Sequence, residues 1–341
     1  MKKNVTIKDV ALAANVSIAT VSRVINQNSS VNPEIKQRVL DAISMLNYYP
    51  NSAARSLKTH NTRTIAYLVS NISDYFFTTV GKGIEDVIKK YDYNLMLCNN
   101  ANSEEVELAY IKLLQEKKVD GIILNTTGKN NELIAEISKD LPIVLSNRQV
   151  NHPDFRGDFI DFDNISGIYE LTSHLISLGH RKIGIINGAI YLSTFRERFE
   201  GFAKAMKTIG VIVDNDYIYN YNGDGFSTFI DGYDGANYLM NLEEKPTAIV
   251  MTNSELAFGA LKYFKSNNIR IPEDVSIVSF GDIVNRDILY VQPTITYTNL
   301  MGIGNKIGEL MIERIEKNNQ IINREIRFTT QIDYGNSTRK I

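Results

Sequence analysis

Residues 15–26 read NVSIATVSRVIN and carry side chains of two kinds. At helical spacing Val21, Val24 and Ile25 fall on one side, while Ile18, Ala19, Ser22, Arg23 and Asn26 fall on the other. The first side can pack. The second has the chemistry of a groove reader: Arg23 can bond guanine O6 and N7 in a bidentate way, and Ile18 and Ala19 can meet thymine methyls. Thr20 and Ser22 suit phosphates, where short hydroxyls fix register without reading sequence. The plainer alternative is a small three-helix bundle with a polar face.

The neighbouring residues supply the elements that would position this face. Thr6 opens TIKDVALAA with Asp9 at capping-box spacing, and Ile7, Val10, Ala11 and Ala14 form an apolar stripe. Ser17 caps SIATVSRVIN. Asn32 and Pro33 open NPEIKQRVLDAISML, whose stripe is Ile35, Val39, Ala42, Ile43 and Leu46. A linker of about three residues containing Asn15, a good occupant of a left-handed turn, predicts a helix-turn-helix. Beyond the stop at Pro50, Asn51 is placed to cap SAARSLK, a helix too short to be stable alone in water. There Leu57, between Arg55 and Lys58, suits an apolar wedge in a minor groove. The predicted DNA-contacting set is therefore Thr6, Ser17, Ile18, Ala19, Thr20, Ser22, Arg23, Asn26, Tyr48, Asn51, Arg55 and Leu57.

Charge points the same way. The 341-residue chain has a net charge of −2, yet residues 1–60 hold eight Lys and Arg against three carboxylates, leaving −7 on the remainder. A basic segment on an acidic body suits a polyanionic partner. No apolar run approaches the ~20 residues of a membrane helix, and MKKNVTIKDVALAA lacks the h-region of a signal peptide. With one cysteine, Cys98, in what reads as a buried strand, a reducing cytoplasm is expected.

From residue 62 onward short apolar runs alternate with helix-length segments. TIAYLVSN, YNLMLCNN, DGIILNTT and LPIVLSNR, then RKIGIING, TAIVMTN and DVSIVSF, suit parallel strands buried on both faces. They predict two doubly wound α/β lobes in series. Ligands bind beyond the carboxyl ends of such strands. Residues 71–77, Asn125, Thr126, Asn147, Arg148, Asn253, Ser254, Gly281 and Asp282 are placed there, an equipment of amides, hydroxyls, an arginine and aromatics suited to a polyhydroxylated ring. No catalytic motif is present. GIGNKIG at 302–308 has the wrong spacing for a dinucleotide fingerprint, and His60, His152, His174 and His180 lack metal-ligand spacing. No enzyme activity, metal or cofactor is implied.

TIKDVA, NVSIATVSRVIN, RVLDAISMLNYYPN and ARSL, in this order, closely resemble the N-terminal domain of the lactose/galactose repressor (LacI/GalR) family of bacterial transcription regulators. DNISG at 163–167, HLISLGHRKIGIING, RERFEGF, PTAIVMTNSELAFGA and PEDVSIVSFGD resemble that family's effector core, which is similar to a periplasmic sugar-binding protein crossed three times by the chain. The resemblance implies a small all-α helix-turn-helix domain at 1–50, a hinge helix and linker at 51–61, and a core at 62–341. The core divides into an N-lobe of about 62–162 and 294–322 and a C-lobe of about 163–293 and 323–341. It implies a homodimer on near-palindromic double-stranded operator DNA, with Leu57 inserted. It also implies a small effector, a sugar, sugar acid or sugar phosphate, between the lobes, bound by Phe76, Phe77, Asn125, Asn147, Arg148, Arg198, Phe226, Asn253 and Asp282. Gly281 stands where the family usually has an aspartate. With Arg148, Arg196 and Arg198 expected nearby, that loss of an acid favours an anionic ligand. No apolar heptads follow REIRFTTQIDY, so no coiled-coil tail is expected. The rival readings are a stand-alone sugar-binding protein, which leaves residues 1–60 without a role, an α/β enzyme, and a global catabolite regulator controlled by a partner protein.

Overall fold

Three helices, α1 (Ile7–Ala13), α2 (Ile18–Ile25) and α3 (Pro33–Met45), begin a computed structural model that describes residues 5–25, 31–48, 61–221 and 228–341. The Thr6 N–H and hydroxyl both donate to the Asp9 carboxylate at 2.7 Å, which fixes the start of α1. Asn15 takes the tight turn with φ +51°, the left-handed conformation its short side chain tolerates. The Asn32 side chain accepts the Glu34 N–H at 2.8 Å, with Pro33 as first helical residue. Val10, Ala11, Val21, Val24, Val39 and Ala42 form the shared core. The chain divides into two compact units, Met1–Thr62 and Arg63–Ile341.

The second unit contains two six-stranded sheets. The first combines β1 (Thr64–Val69), β2 (Asn94–Asn99), β3 (Gly121–Leu124), β4 (Ile143–Ser146) and β5 (Asp158–Phe162) with β11 (Glu325–Phe328), in the order β11-β5-β4-β3-β1-β2. The second combines β6 (Ile183–Asn187), β7 (Ile218–Asn220), β8 (Ala248–Met251), β9 (Ser276–Ser279), β10 (Thr294–Tyr297) and β12 (Gln331–Asp333), in the order β12-β10-β9-β8-β6-β7. In the first lobe lie α4 (Tyr75–Ile88), α5 (Glu104–Glu116), α6 (Asn131–Ile137) and α11 (Leu300–Glu316). In the second lie α7 (Asn164–Ser177), α8 (Ser193–Lys207), α9 (Phe229–Met240) and α10 (Ser254–Ser266). The strand order reverses between β1 and β3 and again between β6 and β8, so each lobe has its ligand-binding crevice beyond those carboxyl ends.

Three expectations are corrected. NLMLCNN is not buried on both faces: β2 closes one edge of its sheet, and Met96 and Leu97 are 38% and 45% exposed, although Cys98 itself is buried. Residues 294–297 do not begin the first lobe's return but form β10 beside β9 in the second sheet. Residues 325–328, assigned to the second lobe, instead form β11 alongside β5, so the chain passes between lobes after Phe162, after Tyr297 and after Phe328. The reason is edge completion: β11 pairs the otherwise open side of β5, and β12 covers β10 in antiparallel fashion.

The glycines of GIGNKIG serve packing. A Cβ on Gly304 would lie 2.2 Å from the Val80 carbonyl oxygen, and one on Gly83 would lie 2.5 Å from that of Met301, so α11 and α4 approach backbone to backbone. His180 is likewise structural, bonding the Thr247 hydroxyl at 2.8 Å and the Arg339 carbonyl at 3.1 Å.

Asp158, fully buried at the start of β5, ties three segments together. It accepts from Arg314 Nε at 2.8 Å and Nη2 at 2.9 Å, from the Arg324 backbone N–H at 2.9 Å and from Arg324 Nη2 at 2.8 Å. Burial alone would raise the carboxyl pKa, but the hydrogen bonds from Arg314 and Arg324 outweigh it and hold the group below its ordinary value. Its stabilising contribution is therefore present above the unfolded-state pKa, roughly 4, and is lost as pH falls below it. Asp158→Ala leaves Arg314 buried without its partner and should cost about 3–5 kcal/mol. Thermal denaturation at neutral pH checks this, and an unchanged melting temperature contradicts it.

Candidate functional site

The outward face of α2 is the one the sequence indicates. Val21 and Val24 are buried, while Ile18 is 44% exposed and Ala19 and Arg23 are exposed beside it. Ser17 accepts the Thr20 N–H at 3.1 Å and shares a 2.9 Å bond with the Thr20 hydroxyl, so this pair fixes the helix start. Ser22 and Tyr48 are half-buried, Tyr48 against the helical core, and Thr6 is engaged with Asp9. Asn26, Asn51, Arg55, Leu57 and Phe226 lie outside the described residues.

In the second unit a cleft receives walls from both lobes. Phe76, Phe77, Asn147 and Arg148 line it from the first, and Arg198, Asn253 and Asp282 from the second. Its space, including the open mouth, is about 850 Å³. A ladder of rings crosses it: Phe76 meets Phe77 at 4.8 Å and Phe162 at 5.6 Å, and Phe162 meets Phe280 at 5.9 Å. The Arg198 guanidinium, on the inner face of α8, stacks 4.0 Å above the Phe280 ring. It donates from Nε to Asn164 Oδ1 at 2.9 Å and from Nη1 to the Thr252 carbonyl at 2.8 Å. Burial lowers its pKa to about 10, well above neutrality, so it stays charged.

Two sequence assignments differ. Asn125 is fully buried and does not reach the cleft; its side chain turns toward the end of β4 and donates to the Ser146 carbonyl at 3.0 Å. Arg196 is exposed and points away, since only one residue separates it from the inward-facing Arg198 on α8. Asn253 lines the cleft but also caps α10, accepting the Leu256 N–H at 2.8 Å. Phe162, Phe195 and Phe280, absent from the sequence set, join the wall. Phe162 ends β5, where every residue is buried.

Behind Arg198 lies a polar network between lobes. Asp161 on β5 accepts from the Phe162 N–H at 2.7 Å and from Asn164 Nδ2 at 2.8 Å. Asn164 also donates to Glu197 at 3.0 Å, and Arg327 on β11 grips both oxygens of Glu197 at 2.6 and 3.0 Å. Burial pushes the Asp161 carboxyl up to about 7; Arg198, the Phe162 N–H and Arg327 pull it down without prevailing, and Glu197 opposes them.

This combination defines a DNA-binding helix-turn-helix unit joined to a two-lobed α/β ligand-binding core, the class of effector-controlled transcription regulators. The sequence comparisons then specify the family. Residues 6–51 match the model for bacterial regulatory proteins of the lacI family, and residues 62–336 match that for periplasmic binding proteins and the sugar binding domain of the LacI family. The chain belongs to the LacI family. It is 36% identical to the HTH-type transcriptional regulator RegA of Clostridium saccharobutylicum, covering 92% of this chain and 93% of that one. It is 34% identical to the HTH-type transcriptional repressor PurR of Haemophilus influenzae, covering 91% of each. The lac repressor dimer bound to operator and an anti-inducer has the same fold, with a TM-score of 0.84 at 20% identity over 99% of this chain and 100% of that one. Among the described residues no helix is long and apolar enough to cross a membrane.

The raised Asp161 pKa gives a pH signature. Relative to an unfolded carboxyl near 4, the folded state retains a proton, so this group's contribution is full below pH ~4 and is lost as pH rises toward 7. Asp161→Asn should flatten the decline in melting temperature between about pH 5 and 7. Scanning calorimetry of both proteins across that window checks it; parallel curves would show that Asp161 is not the titrating group.

Proposed function

We propose that the chain is a homodimeric repressor of a carbohydrate-utilisation operon, acting in the cytoplasm on near-palindromic double-stranded DNA and controlled by a small effector in the core cleft. The observation that carries this reading is that one chain pairs an outward α2 face of Ile18, Ala19 and Arg23 with a cleft walled from two lobes. In a helix-turn-helix the second helix enters the major groove, which puts these three residues at base edges. The net positive charge of residues 1–60 supplies phosphate attraction. The matched core model describes a sugar binding domain, and the guanidinium, amides and ring planes of the cleft suit a polyhydroxylated ring. Residues 51–61 are the segment through which a change in the core reaches the paired DNA-binding units. An effector shifts that balance only by its differential affinity for two lobe arrangements.

Gel shift against the DNA upstream of the chain's own operon, with and without sugars, tests this reading; no binding at low salt overturns it. Arg23→Ala should weaken specific binding by roughly 10–100-fold, as expected for one lost bidentate base contact. Ala19→Arg should change operator preference while the helical melting transition stays in place, because Ala19 faces solvent. Unaltered affinity of the Ala19→Arg variant for the original operator means that α2 does not dock as described.

A further inference from the structure

We propose that the effector carries an acidic group, a carboxylate or a phosphate, bound where Arg148 of the first lobe meets the start of α8 in the second. This rests on the reading of the cleft as the effector site and adds the charge class of its ligand.

Arg148 is 4% exposed and lines the cleft. Its Nη1 is committed to Asn102 Oδ1 and to the Thr126 carbonyl, the latter at 3.1 Å. Its Nε is buried with no hydrogen-bond partner among the described residues. The Nε–Nη2 edge is thus the unused side of a rigid fork, the edge that can donate to two oxygens of one carboxylate or phosphate. No carboxylate pairs directly with Arg148 among the described residues; the buried acids Glu107 and Asp161 act on it only from a distance, and a buried cation lacking a direct partner is costly.

An independent feature sits beside it. α8 is 15 residues long, and no side chain caps its first turn. By contrast, the Asp74 side chain caps α4 and that of Asn253 caps α10. The Gln149 N–H, next in sequence to Arg148, donates to Ser193 Oγ at 3.2 Å, which joins the Arg148 loop to that uncapped turn. Thr194 and Phe195 of the same turn line the cleft, with Arg198 one turn further on. Uncapped amides at a helix start favour an anion, and here a buried guanidinium faces the same space.

The acids nearby do not already fill this role. Asp74 is occupied with the Phe76 N–H at 2.9 Å, Asp161 with the Phe162 N–H and Asn164, and the buried Glu107 with the Thr127 N–H at 2.7 Å and hydroxyl at 2.8 Å. Asp282 also lines the cleft but accepts the Ile283 N–H, and Gly281 before it, with φ +91°, adds no side chain. The ligand's acid group supplies the directly bonded counter-charge that Arg148 lacks, and its ring lies toward the phenylalanines.

The test is calorimetric titration of the full chain with glucose, galactose and ribose, each paired with its phosphate and with its sugar acid. At least one acidic partner should bind about tenfold or more tighter than its neutral parent, and whether the phosphate or the acid binds identifies the group. Arg148→Gln should lose roughly 10–100-fold in that affinity, the range for a lost charge-assisted contact. Arg148→Lys keeps the charge but not the fork and should fall between, so the test survives a poorly folding glutamine variant. Arg196→Gln, at an exposed position, should bind like the parent. Equal binding of neutral and acidic partners, indifference to both Arg148 variants, or no acidic ligand bound by the parent chain overturns the inference. A neutral sugar that binds and alters operator affinity also overturns it while leaving the regulatory reading intact. Failure to bind DNA removes that reading without touching the titration.

Discussion

A guanidinium taken out of water must find acceptors for its donors and a charge or π-surface for its field, and at Arg198 these come from several chain segments. Asn164 and the Thr252 carbonyl take two of its N–H groups, and Phe280 lies under its plane. Asn164 is in turn held by Asp161 of β5, which belongs to the first lobe. The position of the cation in the cleft therefore depends on where the two lobes meet. Buried polar networks are costly when half satisfied, so α8, the β5–α7 crossing and β11 are constrained together.

That constraint explains the placement of the crossings. Phe162 ends β5 and Asp163 caps α7, so the first crossing carries Asp161 and Asn164 to opposite sides of one joint. Phe328 ends β11 just before the last crossing, and Arg327 beside it reaches Glu197 in the second lobe. The ring ladder from Phe77 to Phe280 runs over the same joint. Polar bonds there set direction, and the aromatic contacts supply apolar burial without fixing a single arrangement. A joint of this kind can hold lobes in register and still be moved by a ligand lying against it.

Much of this was legible in the sequence because it rests on local rules. Thr6 with Asp9, Asn15 in its turn and Asn32 before Pro33 marked the three helices, and the two-sided pattern of α2 follows from helical spacing alone. The apolar strands were equally plain. What was hidden depended on neighbours remote in sequence. β2 has the composition of a central strand but lies at an edge, and nothing within β10, β11 and β12 tells which sheet each completes. Asn125 stands at a strand's carboxyl end, as a ligand residue should, yet the adjacent end of β4 takes its amide. Asp161 and Arg327 carry no motif. Their roles exist only because two strands remote in sequence pair side by side, with Asp161 opposite Arg327 in register.

The same geometry decides what a ligand must do to send a signal. A molecule touching only one lobe would bind both lobe arrangements equally and shift nothing, however tightly it bound. The cleft avoids this because its two cationic groups are divided: Arg148 follows β4 in the first lobe, and Arg198 stands on α8 in the second. A ligand that engages both is sensitive to their separation, and the charge on each side makes that sensitivity steep in a low-dielectric space. Arg198 also bears on Asn164, and through it on Glu197 and Arg327, so a pull on Arg198 loads the bonds that set the lobe angle. On the proposed reading of the cleft, recognition and transmission are one set of contacts, with the ligand as the member that completes them.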